Sequence, residues 1–495
     1  MEYKIKVLPS NDEIVAKKGQ ALSHVLANAG YYISASCGGK GTCGKCKIKL
    51  LEGMVQDQLP DENGFILSCK AKIIGDVTVF LCKNQGSGLT EFVNGNAEGN
   101  KKGFGVALDI GTTTLAACLV DLQSGEILEK TSALNPQSAC GADVLSRINA
   151  CSSGKLAFLQ TLILDKTKEI INLLANGRRI SELYVSANTT MLHLFLGVNP
   201  EGIGKYPFTP VFTDTKILDG EKLGLPVDKV CLLSSASAYV GSDITAGVYA
   251  LNMNNEKEVM LFVDVGTNGE IVLASEDKLY ATSTAAGPAL EGACIECGTG
   301  GVVGAIDKVY LENGKIEFKT IDGANPIGIC GSGLIDLIAL LIKEGIIDET
   351  GAFDDLSSSP LASSIKDDKF YLTADIYLSQ KDVRQFQLAK SAISAGLEAL
   401  LIEEGISISQ VQKLYVAGGV GYYMNVANAC AVGLLPKQLE QKTHVVGNTS
   451  LAGVKACLMQ ENGALEVEKI ARAMQIVELS FSQVFQDKYV ENMLF

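Results

Sequence analysis

The sequence predicts a protein of mixed α/β and α+β character in three parts: a small N-terminal domain of β-grasp type, a flexible linker, and a large α/β unit of two duplicated lobes. Three observations predict it. A loop at 37–46, CGGKGTCGKC, puts three cysteines and four glycines into ten positions. Residues 84–103 then change composition abruptly, with five glycines and four asparagines in twenty positions. Beyond them an apolar strand, an aspartate, a glycine turn and a second apolar strand occur twice, as FGVALDIGTTTLAACLVD from residue 104 and VMLFVDVGTNGEIVLAS from residue 259.

With 495 residues, 47% of them hydrophobic and 20% charged, the chain can bury a large core and has the length of roughly three domains. The start, MEYKIKVLPSNDE, has no apolar stretch ending in a small-residue cleavage site. The longest apolar runs, such as LIDLIALLI at 334–342, fall short of the ~18 residues that span a bilayer. A cytoplasmic protein without a membrane span is therefore expected. A net charge of -14 argues against nucleic acid or an anionic membrane as partner, because their phosphates would be repelled. The fourteen cysteines are then expected to stay reduced, as ligands, packing residues or reactive thiols.

In the first part, residues 1–83, KIKVLP reads as an alternating strand, AKKGQALSHVLANAG as a helix ending at Gly30, and CKIKLLEG and VTVFL as further strands. Cys37, Cys43 and Cys46 follow the spacing C-x5-C-x2-C, and Cys69 follows after twenty-two intervening residues. Four soft thiolates suit iron, and the loop glycines let backbone N–H groups approach the sulfides of an iron-sulfur cluster. A four-cysteine zinc site is the alternative, although such sites usually pair two C-x2-C units. The segment resembles the plant- and adrenodoxin-type ferredoxins. That resemblance implies a 2Fe-2S cluster on these four cysteines, with x5 where the plant-type loop has x4.

The linker, 84–103, either tethers a domain that must move between partners or simply joins two domains. In the repeated hairpins that follow, the turn residues Gly111, Thr112, Thr113 and Thr114, and Gly266, Thr267, Asn268 and Gly269, offer N–H groups and small polar side chains to a phosphate. Asp109 and Asp264 are placed to hold magnesium through its waters or to orient an attacking water. A third segment, KLYVAGGVGYYMNVANA from 413, brings Gly418, Gly419 and Gly421 after an apolar strand, where bare backbone would admit an adenosine. Helical patterns such as FLQTLILDKTKEIINLLANG and QLAKSAISAGLEALLIEEG alternate with these strands. The three segments resemble the phosphate and adenosine motifs of the actin-like (ASKHA) superfamily. The resemblance implies two lobes, 104–258 and 259–495, closing over ATP and magnesium.

The combination is narrower still. NPQSACGADVLSRI (135–148), VSANTTMLHLFLG (185–197), SASAYVGSDITAG (235–247), AAGPALEGACI (285–295) and VVGNTSLAG (445–453), behind a ferredoxin-like head, resemble the reductive activators of corrinoid proteins. The resemblance implies an ATP-dependent iron-sulfur enzyme of anaerobic methyl-transfer and O-demethylation systems, one that returns cobalt(II) corrinoid to cobalt(I). Its implied partners are a corrinoid protein and a low-potential electron donor, reduced ferredoxin or a reductase; assembly as a homodimer stays open. A ferredoxin-fused small-molecule kinase and a non-catalytic redox sensor are the competing readings. Longer members carry an extra small domain after the ferredoxin, whereas here the linker runs straight into the first ATPase strand.

Among the remaining residues, Asn188, Thr189 and Thr190 could face the cleft or start a helix, and Asp243 could approach the nucleotide or cap a helix. His24 and His193 read as packing or surface residues. Cys294 and Cys297, a CIEC pair with no second motif, read as structural although related activators share a 4Fe-4S cluster between subunits through such cysteines.

Overall fold

The computed structural model describes residues 2–8, 10–29, 31, 33, 41, 46–61, 64–81, 101–354, 358–420 and 423–495. The first domain contains β1 (Glu2–Leu8), β2 (Asp12–Lys17), α1 (Leu22–Asn28), β3 (Lys47–Gln56), β4 (Phe65–Leu67) and β5 (Lys72–Phe80). The strands form one sheet in the order β2-β1-β5-β3-β4, with β1 and β5 parallel. Alternate residues of these strands, Ile5, Val7, Ile48, Ile73 and Val79, turn inward against Leu22 and Leu26 of α1. The sequence-based helix from Ala16 to Gly30 is thus corrected: Asp12–Lys17 is a strand whose Ala16 pairs with Tyr3, and the helix begins only at Leu22. The chain reverses between them at Gly19, whose φ of +84° favours glycine.

The linker reading falls mostly on 82–100, outside the described residues. From Phe104 the chain builds β6 (Phe104–Ile110), β7 (Thr114–Asp121), β8 (Ile127–Leu134), α2 (Val144–Ala150), α3 (Leu156–Ala175), β9 (Ile180–Ala187), α4 (Thr189–Leu196), β10 (Lys216–Asp219), β11 (Val227–Leu232) and α5 (Ser242–Ala250). The sheet order is β10-β11-β9-β6-β7-β8. The second half repeats the plan with β12 (Met260–Val265), β13 (Gly269–Ser275) and β14 (Lys278–Thr284). Two small sheets follow, built from β15 (Ala305–Glu312), β16 (Lys315–Thr320), β17 (Gly328–Ile329), β18 (Ile365–Lys366), β19 (Lys369–Tyr371) and β20 (Tyr377–Ser379). The helices α6 (Gly331–Lys343) and α7 (Gln380–Glu403) pack here; α7 opens on a capping box in which Ser379 and Asp382 bond each other's backbone N–H. The second large sheet, β22-β21-β12-β13-β14-β23, is completed by β21 (Lys413–Ala417), α8 (Val426–Ala431), β22 (Thr443–Gly447), α9 (Thr449–Met459), α10 (Gly463–Ala473), β23 (Met474–Ile476) and α11 (Gln483–Glu491).

The duplication is visible in the pairing. Central β6 lies antiparallel to β7 and parallel to β9, and central β12 lies antiparallel to β13 and parallel to β21. Both central strands are almost wholly apolar because helices cover both faces of each sheet. The covering helices cross over. Helix α5, from the first half, packs Ile244 and Val248 on Phe262 and Val272 of the second sheet, while α9, from the second half, packs Leu451, Val454 and Leu458 on Ala107, Cys118 and Val120 of the first. The two helices also pack on one another, so both sheets end at a common cleft. No described helix is long and apolar enough to cross a membrane.

Candidate functional site

The two expected turns are tight hairpins. Gly111 N–H donates to Thr114 C=O at 2.9 Å, and Gly266 N–H donates to Asn268 C=O at 3.0 Å. A Cβ at Gly111 would lie 2.7 Å from that Thr114 carbonyl, which explains the glycine. Asn135 Nδ2 donates to the Gly111 carbonyl at 2.8 Å, and the guanidinium of Arg147, fully buried, donates to the Thr112 carbonyl and to Gly141 C=O. Thr112 Oγ1 accepts from Asn188 Nδ2 at 3.1 Å. Asn188 also caps α4 by accepting from Met191 N–H, so both expectations for this residue hold together. Thr189 Oγ1 donates to Ser237 C=O, and Thr190 is buried.

Asp109 and Asp264, one residue before the end of each central strand, have unlike surroundings. Asp109 accepts from Asn448 Nδ2 at 2.8 Å, Ser450 Oγ at 2.8 Å and Ser186 Oγ at 3.5 Å, where the start of α9 meets β6 and β9 of the first lobe. The carboxylate of Asp264 receives no hydrogen bond among the described residues, while its backbone stays in the β12 ladders. Burial, and then the charges of Asp243, Asp109 and Glu291, push its carboxyl up to about 8. Burial and the Asp109 charge push Asp243, in the first turn of α5, up to about 7. Glu270, paired across the hairpin from Asp264, and Glu291 are raised as well, chiefly by burial. Five carboxylates converge on one cleft.

Such crowding of like charge fits a cation: a divalent ion with a polyphosphate would relieve it, and the turns supply hydroxyls for the phosphates. Thr113 and Thr267, one from each turn, both donate to Glu291. Gly418, with φ of +95°, sits where a Cβ would lie 2.4 Å from Val265 O and 2.7 Å from Asp264 Oδ1; Gly419 faces open space. Gly421 lies outside the described residues.

In the first domain Cys46 is buried and its Sγ lies 3.2 Å from Cys69 Sγ, close enough for one iron to take both. Ser68 N–H donates to Cys46 C=O at 3.0 Å and so pins the two segments, while Ser68 Oγ is buried without a partner. The residues present therefore fit a cluster. Cys37 and Cys43 lie outside the described residues. Away from both sites, His193 is a packing residue: its ring stacks on Phe212, Nδ1 bonds Thr189 C=O and Nε2 accepts from Val211 N–H, with burial lowering its pKa. Cys294 is exposed, and Cys297 Sγ bonds Asp375 C=O.

The sequence reading did not assign Asn135, Arg147, Glu270, Glu291, Asn448 or Ser450. All six lie in motifs quoted above, where residue type alone did not reveal a role.

Comparison with known proteins agrees with this architecture. Residues 5–73 match the family of 2Fe-2S iron-sulfur cluster binding domains, 104–256 the middle region of RACo, and 258–495 its C-terminal ASKHA domain. The chain is 36% identical over 436 residues to the corrinoid activation enzyme RamQ of Eubacterium limosum, covering 83% of this chain and 73% of that protein. It is 25% identical over 432 residues to the [Co(II) methylated amine-specific corrinoid protein] reductase of Methanosarcina barkeri, covering 78% and 76%. A solved structure of a reductive activator for corrinoid, iron-sulfur protein superposes with a TM-score of 0.74 at 28% identity, over 100% of this chain and 98% of that one.

Proposed function

This chain belongs to the RACo family of corrinoid-activating enzymes, and we propose on that footing that it reduces the inactive cobalt(II) corrinoid of a partner protein to cobalt(I) at the expense of ATP. Cys37, Cys43, Cys46 and Cys69 hold a 2Fe-2S cluster, which supplies one low-potential electron. The turns 111–114 and 266–269 bind the nucleotide's phosphates through their hydroxyls and N–H groups. Asp264 and Asp243 hold magnesium, whose charge would draw their raised pKa values back down. Asp109, fixed by three donors, orients water at the same place. Gly418, Gly419 and Gly421 leave bare backbone for the adenosine.

The architecture supports a role for the nucleotide in closing the lobes. Each turn belongs to a different sheet, and α5 and α9 are shared between the sheets, so binding at both turns favours one closure of the lobes over the other. A corrinoid protein gripped in only one closure receives its electron only there. An uphill step of ~100 mV needs ~2.3 kcal/mol, well within what a nucleotide can couple. A low-potential donor, reduced ferredoxin or a reductase, recharges residues 1–83; residues 84–103 link them to lobes at 104–258 and 259–495.

The observation that carries this reading is the approach of Cys46 to Cys69 at the ends of β3 and β4 in the N-terminal sheet, on the same chain as a carboxylate-lined cleft with two hydroxyl-bearing turns. The test is the visible spectrum of a cobalt(II) corrinoid protein mixed with the reduced chain. Conversion to the cobalt(I) spectrum with Mg-ATP, and much less without it, is expected; phosphorylation of a metabolite in its place would favour a kinase.

A further inference from the structure

We propose that the ferredoxin-like domain has its own docking site on the first lobe, made by α1 against the start of α3, and that a buried bracket couples this site to the nucleotide turn. The inference rests on the nucleotide site assigned above. The docking contact is aromatic: the His24 ring lies 5.9 Å from that of Phe158, their planes inclined at 50°. Helix α1 also runs beside the turn Pro136–Cys140. Between α2 and α3 the backbone leaves helical geometry at Ser153 and Gly154, the latter with φ of +81°, so that α3 starts afresh and presents Lys155 and Phe158 beside the domain. Burial, and then the charge of Lys155, disfavour the protonated form of His24.

The bracket runs from that contact to the phosphate turn without a gap. Gln137 Nε2 donates to the carbonyl of Leu159, the neighbour of Phe158, at 3.0 Å. Gln137 N–H donates to Asn135 Oδ1 at 3.0 Å, and Arg147 Nη1 approaches Gln137 Oε1 at 3.5 Å. Asn135 and Arg147 in turn hold the carbonyls of Gly111 and Thr112. Asn135, Gln137 and Arg147 are each fully buried, so a shift at one end is met by its packed neighbours at the other. A phosphate seated on the turn polarises its peptide groups, strengthens their carbonyls as acceptors and stiffens the bracket. Nucleotide and docking therefore favour each other, and the coupling is reciprocal.

Hydrogen–deuterium exchange on the full cluster-bearing chain, with and without Mg-ADP, tests this. Protection of residues 22–28 should rise several-fold with Mg-ADP. His24→Ala, its fold checked by an unchanged cluster spectrum, should weaken Mg-ADP binding by the factor by which Mg-ADP strengthens docking; Phe158→Ser, from the other side of the contact, should do the same. Unchanged or reduced protection, or unaltered Mg-ADP affinity in both variants, would overturn the inference. A chain that passes these tests yet reduces no corrinoid protein would leave the docking site standing and remove the proposed function. One that binds no Mg-ADP would remove both.

Discussion

Thr113 and Thr267 donate to the same oxygen, Glu291 Oε2, at 3.1 and 2.8 Å, so one carboxylate joins the two hairpin turns across the cleft. The carboxylate thus occupies the hydroxyls that a phosphate would use. Glu291→Gln should tighten Mg-ATP binding by up to about tenfold, or about 1.4 kcal/mol, because an incoming phosphate would meet one less buried negative charge. Equilibrium dialysis with labelled nucleotide measures this. Weaker binding would mean that Glu291 helps to hold the ion.

The unequal support of the two aspartates separates their expected effects. Asp264→Ala removes a carboxylate with no structural donors and should slow corrinoid-stimulated ATP turnover by about 10²-fold or more with little loss of stability. Asp109→Ala should slow turnover and also lower the melting temperature, because Asn448 and Ser450 lose their buried acceptor. Parent rates in both variants would show that the turns do not hold the phosphates.

The crowded carboxylates make stability depend on pH. Asp264 and Asp243 titrate at about 8 and about 7 in the folded chain, above the ordinary aspartate value of ~3.9. The folded state keeps protons that the unfolded chain has released, so their contribution is full below ~3.9 and is lost as pH rises through about 8. The melting temperature of nucleotide-free protein should therefore fall between about pH 5 and about pH 8.5. Asp264→Asn should flatten that slope, and so should Mg-ADP. An equal slope in parent and variant would contradict the raised value.

Anaerobically purified protein should carry about two irons per chain. Replacing Cys43, Cys46 or Cys69 with serine should bleach the visible absorption, since each removes a thiolate ligand. Stoichiometric zinc without acid-labile sulfide would mean that the pair of sulfurs 3.2 Å apart holds a different metal.

Much of this architecture is written in local pattern. An apolar strand closing on an aspartate and a glycine turn needs only its own neighbours to form a hairpin, and both hairpins form as expected. The helix expected from Ala16 differs from the structure because Ala16 and Lys17 close a strand whose pairing with β1 outweighs their helical tendency.

The cysteine spacing, the two glycine hairpin turns, the glycines after β21 and the duplicated plan are legible in the chain alone, because each depends on residues close together in it. Only the tertiary structure decided what holds them. Asn448 and Ser450 reach Asp109, Glu291 reaches both turns, and Arg147 braces Thr112 from beneath. These partners are brought together by the crossing of α5 and α9 between the sheets and by the packing of α2 and α3. An asparagine or a buried arginine carries no local signal of the distant carbonyl or carboxylate that burial obliges it to find.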